Sequence, residues 1–134
     1  MNTNQDVQSG MDRRTFLKLS GGVLGALVLG HSSRAFAAEP DWVDVGNEAD
    51  FPLNEPVFLK DQLAFVVRRE AGWYGLSARC THRGCTVSWS GTEFICPCHQ
   101  ARFDINGSVL AEPARDTLAV MPAKAVDGRV WLGL

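Results

Sequence analysis

The chain has 134 residues, a formal charge of −2 and 46% hydrophobic residues, which is typical of one globular domain. Its thirteen Lys and Arg against fifteen Asp and Glu give no excess of the basic charge that nucleic-acid-binding domains carry. We therefore expect no nucleic-acid partner.

The first predicted element is a leader over residues 1–37. The string MDRRTFLK places two consecutive arginines before twelve small or apolar residues, and a small-x-small pattern ends at residue 37. The string resembles a twin-arginine export signal, and the three-part order is that of a cleaved secretory signal peptide. We expect cleavage after residue 37 and a protein in the periplasm or on the outer face of the cytoplasmic membrane, exported by the twin-arginine route.

Two other interpretations of the leader stay open. The arginine pair also suits an ordinary basic helix start, and an uncleaved leader could serve as a membrane anchor. A spanning helix needs about 20 apolar residues to cross about 30 Å of hydrocarbon. Twelve residues at about 1.5 Å each reach only about 18 Å. We therefore expect membrane attachment only through an uncleaved leader or through a membrane complex.

The remaining residues, 38–134, are predicted to form one domain. They carry nine Lys and Arg against thirteen Asp and Glu, a formal balance of −4, and they contain all four cysteines. A domain of this size buries a limited core and is often stabilised by a metal or a disulfide.

Short apolar segments separated by turn residues follow one another along this domain, each of strand length. They lie at residues 42–45, 57–59, 63–67, 73–78, 86–89, 93–95, 109, 118–120 and 130–132. Asn106-Gly107 and Asp127-Gly128 are strong hairpin signals between them. No helical apolar stripe after the leader is long enough for a core helix. The pattern predicts an all-β, mostly antiparallel fold with a cysteine-rich excursion at about 79–104.

Two strings in this excursion hold every cysteine and every histidine of the domain: CTHRGC over Cys80–Cys85 and CPCHQARF over Cys96–Phe103. Two disulfides alone would leave both histidines beside cysteines by coincidence. A zinc site of two Cys and two His usually joins a CxxC pair to an HxxxH pair, and it has no use for two further cysteines. A Cys–His nucleophile lacks an orienting third group.

The fourth interpretation comes from the family that the strings resemble. CTHxGC followed by CPCH is similar to the Rieske [2Fe-2S] proteins, in particular to the disulfide-bearing branch of quinol-oxidising complexes and arsenite oxidase small subunits. Over about residues 42–134, this resemblance implies an antiparallel β sandwich with a small cluster-binding subdomain built from two loops. It also implies that one [2Fe-2S] cluster is bound by Cys80 and Cys96 on one iron and His82 and His99 on the other, with Cys85 and Cys98 forming a disulfide.

Charge explains this ligand set. Two ferric ions, two sulfides and two thiolates sum to zero, whereas four thiolates would leave the oxidised site at −2. Adding an electron to a neutral site costs less, so histidine ligation raises the potential to about −150 to +300 mV, against about −400 mV for plant-type clusters.

The chain departs from the family pattern beside the ligands. High-potential members continue CPCHGSxY, whose hydroxyls donate hydrogen bonds to cluster sulfur, whereas this chain has Ala101 and Phe103. The loss of these donors predicts a lower potential than in quinol-oxidising members.

Arg83 stands where those complexes usually have a leucine that contacts the partner. A charged residue at this tip favours a polar or anionic partner surface. The other interpretation is that the Arg83 side chain is only solvated. Pro113 is predicted to cover the cluster from a third loop or to be an ordinary turn proline.

The resemblance therefore implies an exported one-electron carrier with no substrate site of its own evident. The leading hypothesis is the electron-transfer subunit or carrier of a periplasmic oxidoreductase, whose partner is a cytochrome or a molybdenum oxidase large subunit. The first alternative is the iron-sulfur subunit of a cytochrome bc complex, with cytochrome b as partner. An alternative of another class is a zinc-stabilised binding module without a redox role.

Overall fold

The computed structural model describes residues 38–134, which form ten β-strands and one short 3-10 helix at Glu48–Asp50. The strands are β1 (Trp42–Asn47), β2 (Val57–Leu59), β3 (Ala64–Arg69), β4 (Gly72–Ser77), β5 (Ser88–Trp89), β6 (Phe94–Ile95), β7 (Arg102–Phe103), β8 (Val109–Ala111), β9 (Val120–Val126) and β10 (Arg129–Gly133). No helix in this part of the chain is long and apolar enough to cross a membrane. The predicted leader lies outside the described residues, so its export and cleavage stay predictions.

The strands build two antiparallel sheets. The larger sheet has the order β1-β10-β9-β4-β3-β2, and the smaller has the order β5-β6-β7-β8. The smaller sheet follows β4 in the chain and precedes β9, so it is an insertion between two paired strands of the larger sheet. The all-β prediction is confirmed.

Strand β3 is buried on both of its faces and separates two cores. Its alternating side chains divide, with Phe65 and Val67 in one core and Ala64 and Val66 in the other, as the two-residue period of a strand requires. The first core also contains Phe94 and side chains of the cysteine loops; the Phe65 and Phe94 ring centroids are 4.8 Å apart. This core is therefore shared between the two sheets.

Both cysteine strings are turns at the ends of short ladders. Residues 80–85 connect Arg79 to Thr86, which form an isolated antiparallel bridge, and residues 96–101 connect the paired strands β6 and β7. The Ala78 N–H donates to the Leu63 carbonyl at 2.8 Å, so the start of the first turn is tied to the chain just before β3. The structure thus presents each string as a loop on a hydrogen-bonded base.

Candidate metal centre

The first cysteine loop, Cys80–Cys85, is closed by two backbone hydrogen bonds. The Cys80 N–H donates to the Cys85 carbonyl at 2.8 Å, and the Gly84 N–H donates back to the Cys80 carbonyl at 2.8 Å. Gly84 has φ +80°, a left-handed conformation that glycine adopts without steric cost. The loop therefore wraps back around the Cys80 backbone.

The second cysteine loop, residues 96–101, repeats this geometry. The Cys96 N–H donates to the Ala101 carbonyl at 2.8 Å, and the Gln100 N–H donates to the Cys96 carbonyl at 3.0 Å. Gln100, at the position equivalent to Gly84, has φ +62°. The two loops are thus structural counterparts, each with a cysteine at its start and a left-handed residue four positions later.

Gln100→Gly should increase the free energy of unfolding by about 0.5–1 kcal/mol. A side chain in the left-handed region costs about 1–2 kcal/mol, part of which the added backbone entropy of glycine in the unfolded chain offsets. Chemical denaturation measures the change. Gln62→Gly is the matched control, because Gln62 has no positive φ and should only lose stability. Equal destabilisation by the two substitutions would contradict the argument.

Cys80 and Cys96 are free thiols buried in the core that the sheets share, with exposures of 3% and 1%. Burial raises the pKa of the Cys80 thiol; the N–H groups of His82 and Arg83 donate to it and oppose the rise, while the neighbouring Cys96 thiol adds to it. With its pKa raised, the Cys80 thiol ionises less readily unless a cation lies beside it. A metal would supply that cation, because metal binding deprotonates a coordinating thiol.

The two histidines of the domain, one from each loop, lie next to each other. The His82 and His99 ring centroids are 4.8 Å apart and the planes are inclined by 87°; His82 is half-buried and His99 is exposed. Burial lowers the pKa of His82, and the charges of His99 and Arg83 lower it further, so His82 favours the neutral form that ligates metals.

One nitrogen atom of the His82–His99 pair lacks a hydrogen-bond partner. His82 Nδ1 is buried and has no hydrogen-bond partner, and it is the only such side-chain nitrogen or oxygen atom in residues 38–134. A buried polar atom without a partner costs about 1–3 kcal/mol. A metal ion bound by Nδ1 would remove this cost, so the orphaned atom supports metal ligation by His82.

A disulfide joins the two loops. Cys85 and Cys98 are bonded, with an S–S distance of 2.08 Å and a Cα–Cα distance of 6.5 Å. The sulfurs of Cys85, Cys98 and Cys96 lie within 4.8 Å of one another. Since two of these sulfurs are bonded to each other, only Cys96 can offer a thiolate. The three-sulfur group is therefore a disulfide beside a candidate ligand, and not a metal site by itself.

The other predicted residues surround this centre. Ala101 and Phe103 are fully buried in the same core as Cys96, and Arg83 is exposed on the first loop. Pro113, after a cis peptide bond, is half-buried in a third loop and lines a groove of about 340 Å³ with His82. The structure thus brings the third loop next to a candidate ligand, and the covering role of Pro113 stays a prediction.

Sequence reasoning missed the contact that ties the third loop to the first. The Thr81 hydroxyl donates to the Asp116 carbonyl at 2.7 Å across 35 positions of the chain. Neither residue type signals this contact, because its acceptor is a backbone carbonyl that any residue could provide. Only the tertiary fold reveals it.

The donor set fits a [2Fe-2S] cluster held by two thiolates and two imidazoles. Two free cysteines start the paired loops, two histidines follow within three positions of them, and one imidazole nitrogen is buried without a partner. Soft thiolates and imidazoles are both ligands of such iron centres. The remaining cysteines are used by the disulfide, so no cysteine of the domain is left without a role.

Comparison with known proteins gives a family match over a range that includes both cysteine loops. The family model described as Rieske [2Fe-2S] domain matches residues 41–122. The cytochrome b6-f complex iron-sulfur subunit of Cyanothece sp. (strain PCC 7425 / ATCC 29141) is 34% identical over 119 residues, which are 83% of this chain and 64% of that protein. The chloroplastic subunit of the same name from Triticum aestivum is 44% identical over 95 residues, which are 67% of this chain and 42% of that protein. The matches span about a quarter to two thirds of the length of the first curated relatives.

Solved structures show the same similarity. The cyanobacterial plasma membrane Rieske protein PetC3 from Synechocystis PCC 6803 matches with a TM-score of 0.50 and 26% identity, over 69% of this chain and 99% of that one. The ferredoxin of carbazole 1,9a-dioxygenase from Nocardioides aromaticivorans IC177 matches with a TM-score of 0.52 and 21% identity, over 69% and 96% of the two chains. The second match supports the fold alone.

Proposed function

Because the chain belongs to the Rieske [2Fe-2S] family and is an electron-transfer protein, we propose that it is the iron-sulfur subunit of a membrane cytochrome complex of the bc or b6-f type. In this proposal it works on the outer face of the cytoplasmic membrane after export by the twin-arginine route. Its immediate partners are the cytochromes of that complex.

We assign the cluster to four residues: Cys80 and Cys96 would ligate one iron, and His82 and His99 would ligate the other. When bound, the cluster supplies one-electron chemistry in the raised potential range that histidine ligation allows. The protein keeps the two thiolates inside the core, away from water, and brings one imidazole to the surface. Exposed His99 thus gives a short route between the site and a docked partner.

The observation that carries the choice of complex is the similarity to cytochrome b6-f iron-sulfur subunits over 83% of the chain. The disulfide between the loops fits both candidate functions, because the resemblance ties it to quinol-oxidising complexes and to arsenite oxidase small subunits alike. The similarity to the b6-f subunits is therefore what favours the cytochrome complex over the periplasmic oxidoreductase, which was the leading hypothesis from sequence alone.

Purification of the full chain from membranes in mild detergent tests this proposal. We expect a b-type haem spectrum to co-purify with the tagged protein in constant ratio through two chromatographic steps. A tagged variant that lacks the first 37 residues is the control for non-specific adsorption of haem proteins. Recovery of the full chain without haem, or with a molybdenum protein in constant ratio, would overturn the proposal.

A second candidate function, the carrier of a periplasmic oxidoreductase, is favoured by one specific feature. Arg83 is exposed where a docking leucine is typical of quinol-oxidising complexes, and an apolar docking face would not place a charge there. This candidate predicts that the molybdenum protein, and not the b-type haem, co-purifies.

Ala101→Ser combined with Phe103→Tyr should raise the midpoint potential. Both side chains are buried in the core that contains Cys96, and the Ala101 carbonyl accepts the Cys96 N–H. A hydroxyl that donates to sulfur stabilises the negative charge added on reduction. At about 1 kcal/mol for each hydrogen bond, each substitution corresponds to about 40 mV for one electron. A redox titration followed by EPR measures the shift.

Phe58→Tyr is the matched control for this pair, because it adds the same hydroxyl at an exposed position of β2 that is not part of the core containing Cys96. It should leave the potential within a few millivolts of the unmodified protein. A double variant with an unchanged or lower potential would refute the hydrogen-bond argument.

A further inference from the structure

Two arginines flank the half-buried ligand histidine. Arg83 follows His82 directly and is exposed on the first loop. Arg115 is exposed on the third loop and lines the same groove of about 340 Å³ as His82. His82 lies 4.8 Å from exposed His99, measured between ring centroids, so both guanidinium groups belong to the surface around the proposed exit point of the electron.

Neither arginine is neutralised by an ion pair within residues 38–134. Salt bridges in this part of the chain hold Arg68, Arg102 and Arg129, but no carboxylate oxygen lies within 4.0 Å of the Arg83 or Arg115 guanidinium. An exposed guanidinium without an ion-pair partner is more available to an approaching anion than one held in a salt bridge, although salt screens it.

The charge of the domain is unevenly distributed. Residues 79–116 contain four Arg against four Asp and Glu, a balance of zero, and the rest of 38–134 contains five Lys and Arg against nine Asp and Glu, a balance of −4. An acidic partner is therefore repelled by the rest of the domain but not, on balance, by residues 79–116, which contain the cluster loops. Such an asymmetry orients a charged partner before contact.

We propose that Arg83 and Arg115 form a docking rim of two arginines for a redox protein whose surface around its own redox centre is acidic. Glu112 and Asp116, also on the third loop, bring the formal charge of this surface to zero, so the rim attracts an acidic partner only relative to the rest of the domain, which has a balance of −4. The rim therefore affects the orientation of the partner and the rate of association more than the affinity of the complex. The inference rests on the proposed function only in that the chain passes electrons to another protein.

The test uses one cytochrome c in two charge forms: native, with its lysines cationic, and succinylated, with those lysines converted to carboxylates. In the reaction the reduced protein loses one electron and the ferric haem gains it. Stopped-flow rates are measured at low and high salt for the unmodified protein and for Arg83→Gln with Arg115→Gln. At low salt, the double variant should reduce the succinylated form about tenfold more slowly and the native form no more slowly. At high salt the difference should disappear.

A charge-matched control separates the rim from net charge. Arg69→Gln with Lys124→Gln also removes two positive charges. Arg69 lies at the end of the β3–β4 hairpin opposite the end that leads to Cys80, and Lys124 lies on β9 beyond its pairing with β4. This control should slow the succinylated form much less than the rim variant does.

Equal slowing by the control and the rim variant, or equal responses of the two cytochrome forms, would overturn the docking rim. Iron content, EPR spectra and midpoint potentials of all variants are measured in parallel, so a change of driving force is not mistaken for docking. Because the test needs no membrane complex, a chain without a b-type haem partner would contradict the proposed function and leave this test unaffected.

Discussion

His82→Ser should abolish the cluster, with the loss of both irons, of the visible absorption and of the EPR signal of the reduced protein. The structure gives the reason. His82 Nδ1 is buried without a partner and the ring lies beside His99, so this nitrogen is free to hold an iron. Serine is too short to reach the same position and gives a weaker ligand. Iron and sulfide analysis of the purified variant measures the effect.

Gln100→Asn is the control for this substitution. Gln100 lies beside His99 in the second loop and is exposed, and asparagine tolerates the left-handed backbone at this position. The control should retain full iron and sulfide. An unchanged diiron spectrum in His82→Ser would show that His82 is not a ligand.

Removal of the disulfide, by Cys85→Ala with Cys98→Ala, should lower the free energy of unfolding by about 3 kcal/mol. The four backbone hydrogen bonds that shape the loops each run within one loop, so the disulfide is the covalent link between the two. The bond closes a segment of 13 positions, and loops near this length are restrained in the unfolded chain by about 3 kcal/mol in the chain-entropy estimate. Chemical denaturation under oxidising conditions measures the loss.

The loss of the link should also expose the iron. Without the disulfide the two loops can separate, so a chelator should remove iron faster from the double variant than from the unmodified protein. Unmodified protein with its disulfide reduced is the matched control and should behave like the variant. A stability change below about 0.5 kcal/mol would contradict the clamping role.

Much of the fold could be predicted because local pattern and tertiary structure agree. The predicted segment at 57–59 coincides with β2, and Asp127 and Gly128 form the β9–β10 turn with φ of +51° and +74°. The Asn106-Gly107 signal marks a longer turn, in which the Asp104 carboxylate accepts the backbone N–H groups of Asn106 and Ser108. Turn chemistry of this kind depends on side-chain capping that the dipeptide alone does not specify.

The missed elements lack a local signal. Strand β7 is only two residues long, and its Arg102 and Phe103 are in strand because they pair with β6 and β8. Strand β9 runs well beyond the predicted residues 118–120, through a proline, because β4 and β10 pair with it on its two sides. Pairing between segments distant in the chain therefore determines where these strands lie, and local strand propensity does not predict it.

The candidate site also has features that the sequence predicts and features that only the structure reveals. The cysteines and histidines were identified because their spacing is characteristic of a family, and the disulfide is present in the structure as the resemblance implied. The near-equivalence of the two loops, the orphaned His82 Nδ1 and the Thr81 contact with the third loop depend on tertiary geometry. No local pattern encodes them.

EPR of the dithionite-reduced, purified protein tests the central claim most directly, when it is combined with metal analysis. We predict two irons and two acid-labile sulfides in each chain and a rhombic signal whose average g value is below that of the free electron. Bound zinc without iron, or a reduced sample without this signal, would contradict the account.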